Sequence, residues 1–108
     1  VPPGFRPLAF CEDPAAFGRS PARWKPVPDH LRAVAAAARL QHRLARRLRE
    51  AFGEGVVAAV AAALGRPERA DYLRRKLNGQ VPLTLVELCE WVGAFPWLAE
   101  ELARPDGD

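Results

Sequence analysis

From Asp29 onward, apolar residues recur at helical spacing. Leu31, Val34, Leu40, Leu44, Leu48 and Phe52 fall on one stripe of a long first helix. Arg32, Arg39, Arg43 and Arg46 run along another face, with Arg47 and Arg49 beside it. Asp29 is placed to cap this helix, and Gly53 and Gly55 to end it. A span of about 23 residues is long against the roughly 8–20 of globular helices, which leaves a break near Ala38 open. Glu54 to Leu64 predicts a second helix with Val56, Val57, Val60 and Leu64 inward. The alanines between them give it a slim surface that another helix can approach, and Gly65 stops it. A third helix runs to Asn78-Gly79, with Leu73 and Leu77 inward and Arg69, Arg74, Arg75 and Lys76 directed elsewhere. Thr84-Leu85-Val86-Glu87 has the form of a capping box. It opens a fourth helix with Leu85, Leu88, Cys89 and Val92 inward and Trp91 half exposed. Pro96 to Ala103 predicts a short last helix. No segment alternates as a strand would, so the expected class is all-α with four to five helices.

Residues 1–29 break this pattern, because they hold seven of the 11 prolines. Proline forbids a long helix and most sheet pairing there. The expected organisation is an extended Pro-rich arm over 1–28, a helical domain over 29–104 and a tail over 105–108. Phe5, Leu8, Phe10, Phe17 and Trp24 give the arm apolar anchors, either onto the domain or onto a partner subunit. Gly18-Arg19-Ser20-Pro21-Ala22-Arg23-Trp24-Lys25-Pro26 mixes basic groups with an aromatic, as do arms that enter a minor groove. A segment simply packed on the protein has the same composition.

The chain has 108 residues, enough for one domain with its own core. No apolar run approaches the roughly 20 residues of a membrane span, so no membrane partner is expected. Val1-Pro2-Pro3-Gly4 lacks the charged-then-apolar opening of a secretory signal. Fourteen of the 16 basic residues are arginine and 20 residues are alanine, a bias of GC-rich bacterial genomes that points to a cytoplasmic protein. Cys11, Cys89, His30 and His42 show no metal-ligand spacing, and each cysteine reads as a small buried hydrophobe. Ser20 and Thr84 are the only hydroxyl nucleophiles of their types, and no base stands beside either. Gly53-Glu54-Gly55 lacks the lysine of a phosphate-cradling loop. These counts argue against an enzyme and against a bound cofactor.

Charge is unevenly placed. Net charge is +5 over residues 31–52, +2 over 53–80 and −5 over 81–108. A basic middle suits a polyanion, and solvated arginines on alanine-rich helices would give the same tally.

The stretch from Val56 to Phe95 is the most informative. An alanine-rich helix ends in Leu64-Gly65 and a turn follows. Next come Tyr72-Leu73-Arg74-Arg75-Lys76-Leu77-Asn78-Gly79, a connector with Pro82, and a helix from Thr84 to Val92. This order resembles the lambda-repressor-like (Cro-like, XRE) helix-turn-helix family, although the segment between Gly65 and Gly79 is longer than the family usually has. The resemblance implies a bacterial regulator that binds double-stranded DNA sequence-specifically, with residues of about 69–78 in the major groove, and a homodimer. On that footing Arg69 and Arg75 are the expected base contacts, since an arginine fork pairs with guanine O6 and N7. Arg39, Arg43, Arg74, Lys76, Asn78 and Gln80 are the expected phosphate contacts. The amides near Gly55, at the start of the second helix, are a further place for a phosphate. The alternative is a protein-interaction module, an adaptor or anti-repressor, on the same fold, using its acidic C-terminal third.

Overall fold

The computed structural model describes residues 5–19 and 22–104. The tail at 105–108 and the Ser20-Pro21 step of the arm lie outside the described residues.

Helix α1 (Arg32–Phe52) is unbroken, with no interruption at Ala38. Its alanines, leucines and arginines are strong helix formers, and neither glycine nor proline interrupts them. At 1.5 Å per residue it is about 30 Å long and forms the axis of the molecule. Its buried positions, Ala35, Ala38, Gln41, His42, Arg43, Leu44, Ala45 and Leu48, spread well beyond one stripe. The cause is that the N-terminal segment, α2 with α3, and α5 pack on it from different sides.

A 3-10 turn over Gly53–Gly55 leads into α2 (Val56–Ala63), so this helix starts later than Glu54. A second such turn, Pro67–Arg69, leads into α3 (Ala70–Leu77). Both helices end in a Schellman arrangement. Arg66 N–H donates to the Ala61 carbonyl at 2.9 Å and Gly65 N–H to Ala62 at 3.0 Å. Gln80 N–H donates to the Arg75 carbonyl at 2.9 Å and Gly79 N–H to Lys76 at 3.2 Å. Gly79 has φ +76°, and a Cβ there would come within 2.7 Å of the Phe17 ring. Only glycine allows this turn and that ring to coexist.

Helix α4 (Leu85–Ala94) carries the expected capping box, with both reciprocal bonds between Thr84 and Glu87. Its phase differs from expectation. Trp91 is buried, whereas Leu85 and Val86 are 76% and 69% exposed and Cys89 is exposed too. Leu88, Trp91 and Phe95 also recur at helical spacing, and burying an indole and a phenyl ring hides more apolar area than Leu85 and Cys89 could. After the turn Pro96–Leu98, α5 (Ala99–Ala103) returns to α1. The core is formed by Leu44, Leu48, Val60, Leu73, Leu77, Trp91 and Leu98 with their neighbours. The fold is an all-α bundle, with an isolated Cys11–Trp24 bridge as its one β-type pairing among the described residues.

The arm folds back onto its own chain. Leu8 N–H donates to the Gly79 carbonyl at 3.0 Å, and Glu12 and Lys25 amides pair across the Cys11–Trp24 bridge. Phe17 and Trp24 stand edge-on to the His42 ring, with centroids at 5.6 and 5.1 Å. Burial, with Asp13 adding to it, pushes the Cys11 thiol up to about 11.

Candidate nucleic-acid interface

The α3–α4 pair is locked by polar groups that sequence periodicity did not mark as internal. Gln41 on α1 donates to the carbonyls of Lys76 (2.8 Å) and Val81 (3.0 Å) and accepts from Leu83 N–H (2.7 Å). One amide therefore braces the end of α3 and the connector to α4. Lys76 is 2% exposed. Its ammonium lies 2.5 Å from the Pro82 carbonyl, 2.6 Å from Glu87 Oε1 and 4.9 Å above the Tyr72 ring. Burial opposes ionisation of Glu87. The bonds from Lys76, Thr84 and Tyr72 outweigh it and hold the carboxyl below its ordinary range.

These contacts correct two expected phosphate contacts. Lys76 directs its charge inward to Glu87 and has no surface to offer a phosphate. Arg43 is 4% exposed and faces the buried Glu101 at 3.6 Å. It ties α5 to α1, together with Arg47, whose guanidinium is 3.2 Å from the same carboxylate. The spacing of Arg43 suited a surface stripe, but packing from three sides buries this position of it, while Arg32 stays exposed and Arg39 and Arg46 half-buried.

The outward side of α3 is charged. With Leu73, Lys76 and Leu77 inward, Asp71, Arg74 and Arg75 project on the far side. Arg74 Nη1 meets Asp71 Oδ1 at 3.1 Å and Arg75 Nη2 meets Asp71 Oδ2 at 2.9 Å, with both arginine side chains more than half exposed. Such exposed pairs are weak and exchange readily for a stronger anion. Arg69 is exposed but not beside Arg75. Its guanidinium stacks 4.9 Å over Tyr72, near the Arg66–Glu90 ion pair. Gln80 is exposed, and Arg39 is half-buried with interactions of its own inside the chain.

Asn78 is half-buried at the end of α3, where its Oδ1 accepts from Arg49 Nη2 at 2.7 Å and from Arg19 Nη2 at 3.4 Å. Arg49 also donates to the Gly18 carbonyl at 3.5 Å. Burial, and the neighbouring charge of Arg19, lower the Arg49 pKa. These side chains and Arg74 border an open groove of about 560 Å³, lined also by Glu50, Glu54 and the first residues of α2. Arg19 and Arg49 were not among the expected contacts. Arg49 was legible only as a flank of the α1 stripe, and no periodicity ties Arg19 to it.

No family model, no curated protein and no solved structure matches this chain. Among the described residues, no helix is long and apolar enough to cross a membrane, and no group of three His, Cys, Asp or Glu side chains is gathered to hold a metal ion.

Proposed function

We propose that the chain binds double-stranded DNA, with α2 and α3 as a helix-turn-helix of lambda-repressor-like type and a role in bacterial, cytoplasmic transcription regulation. The observation that carries this reading is the outward side of α3. Once its inward side is spent on Leu73, Lys76 and Leu77, what remains is Arg74 and Arg75, held by a single aspartate. Arg75 is the candidate base reader and Arg69, near the start of the helix, the second. Arg74, Asn78, Gln80 and Arg39 remain as candidate phosphate contacts, and they supply affinity without sequence preference. Asp71 competes with DNA for both outward arginines, which favours release at non-cognate sites.

A homodimer is the assembly that operator symmetry favours. Trp91 is internal, and Phe17 and Trp24 of the arm stand against His42 of their own α1. Leu85 and Val86 of α4, the most exposed of the large apolar side chains described, are therefore the surface offered to a second copy. The same surface supports the other reading, a protein-interaction module. An acidic docking face supports it less, because Glu87, Glu90, Glu100 and Glu101 all pair with arginines or lysine of the chain itself.

The test is a fluorescence-anisotropy titration of a mixed-sequence duplex at two salt concentrations. Binding that falls with salt at a log–log slope of about −0.9 per phosphate contact is expected. No binding at low salt refutes the DNA function and leaves the interaction module.

A further inference from the structure

We infer that Arg19, Arg49 and Asn78 form a phosphate clamp, which makes the N-terminal segment part of the nucleic-acid surface. The inference rests on the DNA reading for the identity of the occupant, a backbone phosphate of the duplex, and on geometry for the site itself.

Two guanidiniums converge on one neutral oxygen, Asn78 Oδ1, at 2.7 and 3.4 Å. Among the described residues no carboxylate lies within ion-pair distance of either. Elsewhere in the molecule the partly buried arginine Arg47 faces carboxylates, as does the buried Arg43. Arg49 is half-buried, so holding it beside Arg19 without an anion is costly, and the lowered Arg49 pKa has that origin. An arginine offers five N–H donors. Arg49 directs two of its terminal nitrogens at Gly18 and Asn78, and Arg19 one at Asn78. The remaining donors suit a tetrahedral oxyanion, which planar guanidinium forks bind bidentately. Arg74 of α3 borders the same groove, so an anion in the clamp is continuous with the outward side of that helix. Glu50 and Glu54 line the groove as well and oppose an anion there, so the clamp depends on the donors of Arg19 and Arg49.

The clamp is assembled by Gly18. Its N–H donates to His42 Nδ1 at 2.7 Å and its carbonyl accepts from Arg49. Its φ of +73° turns the chain so that Arg19 emerges beside Arg49, and a Cβ there would lie 2.7 Å from the Leu77 carbonyl oxygen. The arm is thereby a positioning element for a charge on its own domain.

The experiment uses the full chain, isotope-labelled, with inorganic phosphate as the first probe. Phosphate is expected to shift the Asn78 side-chain amide and the Arg49 Nε–H resonances, and Arg19→Gln to reduce that shift. The second probe is a mixed-sequence duplex. Arg19→Gln is expected to lower the salt slope by about one unit on every sequence, while Arg23→Gln, an exposed arm arginine away from the groove, keeps more of it. Resonances unmoved by phosphate, or an Arg19→Gln chain that binds duplex with the wild-type slope, overturn the clamp. Phosphate shifts without any duplex binding support the clamp as a phosphate site and refute the DNA reading instead.

Discussion

Replacing Arg43 with methionine removes a charge but keeps most of the volume and the apolar stem, so no large cavity is left behind. The partner is Glu101, whose side chain is fully buried at 3.6 Å. Stripping one member from a buried pair costs about 3–5 kcal/mol when the other is left uncompensated. Glu101 keeps Arg47 at 3.2 Å and Arg104 at 3.5 Å. The expected loss is therefore at or below the low end, about 2–3 kcal/mol. For a domain of this size that corresponds to a fall in Tm of roughly 10–20 °C. It is a large share of the roughly 5–15 kcal/mol that holds such a domain together. Thermal and urea unfolding of Arg43→Met, Glu101→Gln and the double variant measure the loss and the coupling between the two sites. The duplex salt slope of Arg43→Met, measured below its Tm, is expected to match the wild type. A variant that melts with the wild type and loses a unit of salt slope would show that Arg43 reaches a phosphate, and the burial argument would be wrong.

The remaining predictions concern single side chains. Arg75→Ala is expected to cost about 1–3 kcal/mol on a preferred duplex and little on a scrambled one; equal losses on both would make it a phosphate contact. Asp71→Asn frees Arg74 and Arg75 and is expected to tighten binding on both duplexes, with unchanged or weaker binding counting against the outward side of α3 as the contact surface. Because the folded chain holds the Glu87 carboxyl below its unfolded value, that group stabilises the fold above about pH 4.3 and loses its contribution as pH falls through the folded value. The stability gap between wild type and Glu87→Gln, from urea unfolding, is then widest near neutral pH and closes in acid; a gap independent of pH would contradict the hydrogen-bonded carboxylate. Cys89 is exposed and Cys11 is buried with its thiol raised to about 11, so a thiol reagent near neutral pH is expected to titrate one cysteine in the native chain and two after unfolding.

Helix ends whose chemistry is local were legible, but Asp29 does not cap α1, which starts at Arg32 after a 3-10 turn with Leu31 as an N-cap that makes no side-chain bond. Thr84 with Glu87, and Asn78 with Gly79, settle their hydrogen bonds within a few residues, so the letters alone suffice. The phase of α4 was not legible in that way. Leu85, Leu88, Cys89 and Val92 make one helical stripe and Leu88, Trp91 and Phe95 make another. Leu88 and Val92 pack against the core as expected, and only the shape of the space beneath decides that Trp91 and Phe95 join them in place of Leu85 and Cys89. The arm shows the same limit. Its prolines exclude a long helix, but its path depends on Gly18 meeting His42 and Leu8 meeting Gly79, which no spacing records.

Of the expected site residues, Arg74, Arg75 and Gln80 stand at the surface, Asn78 is half-buried, and Arg43 and Lys76 are inside. The difference lies in where the carboxylates are. Among the described residues, the glutamates of the acidic end find cations of the basic middle. Glu87 meets Lys76, Glu90 meets Arg66, and Glu101 meets Arg43 and Arg47. Each such pairing removes one cation from those that a count of basic residues would assign to a polyanion. A run of charge along the sequence therefore overstates the cationic surface left for an anion, and the partners of each arginine identify it better. By that criterion available charge gathers in one place where the arm, the end of α1 and the outward side of α3 meet. There Arg19 and Arg49 share an amide oxygen, and Arg74 and Arg75 share one aspartate.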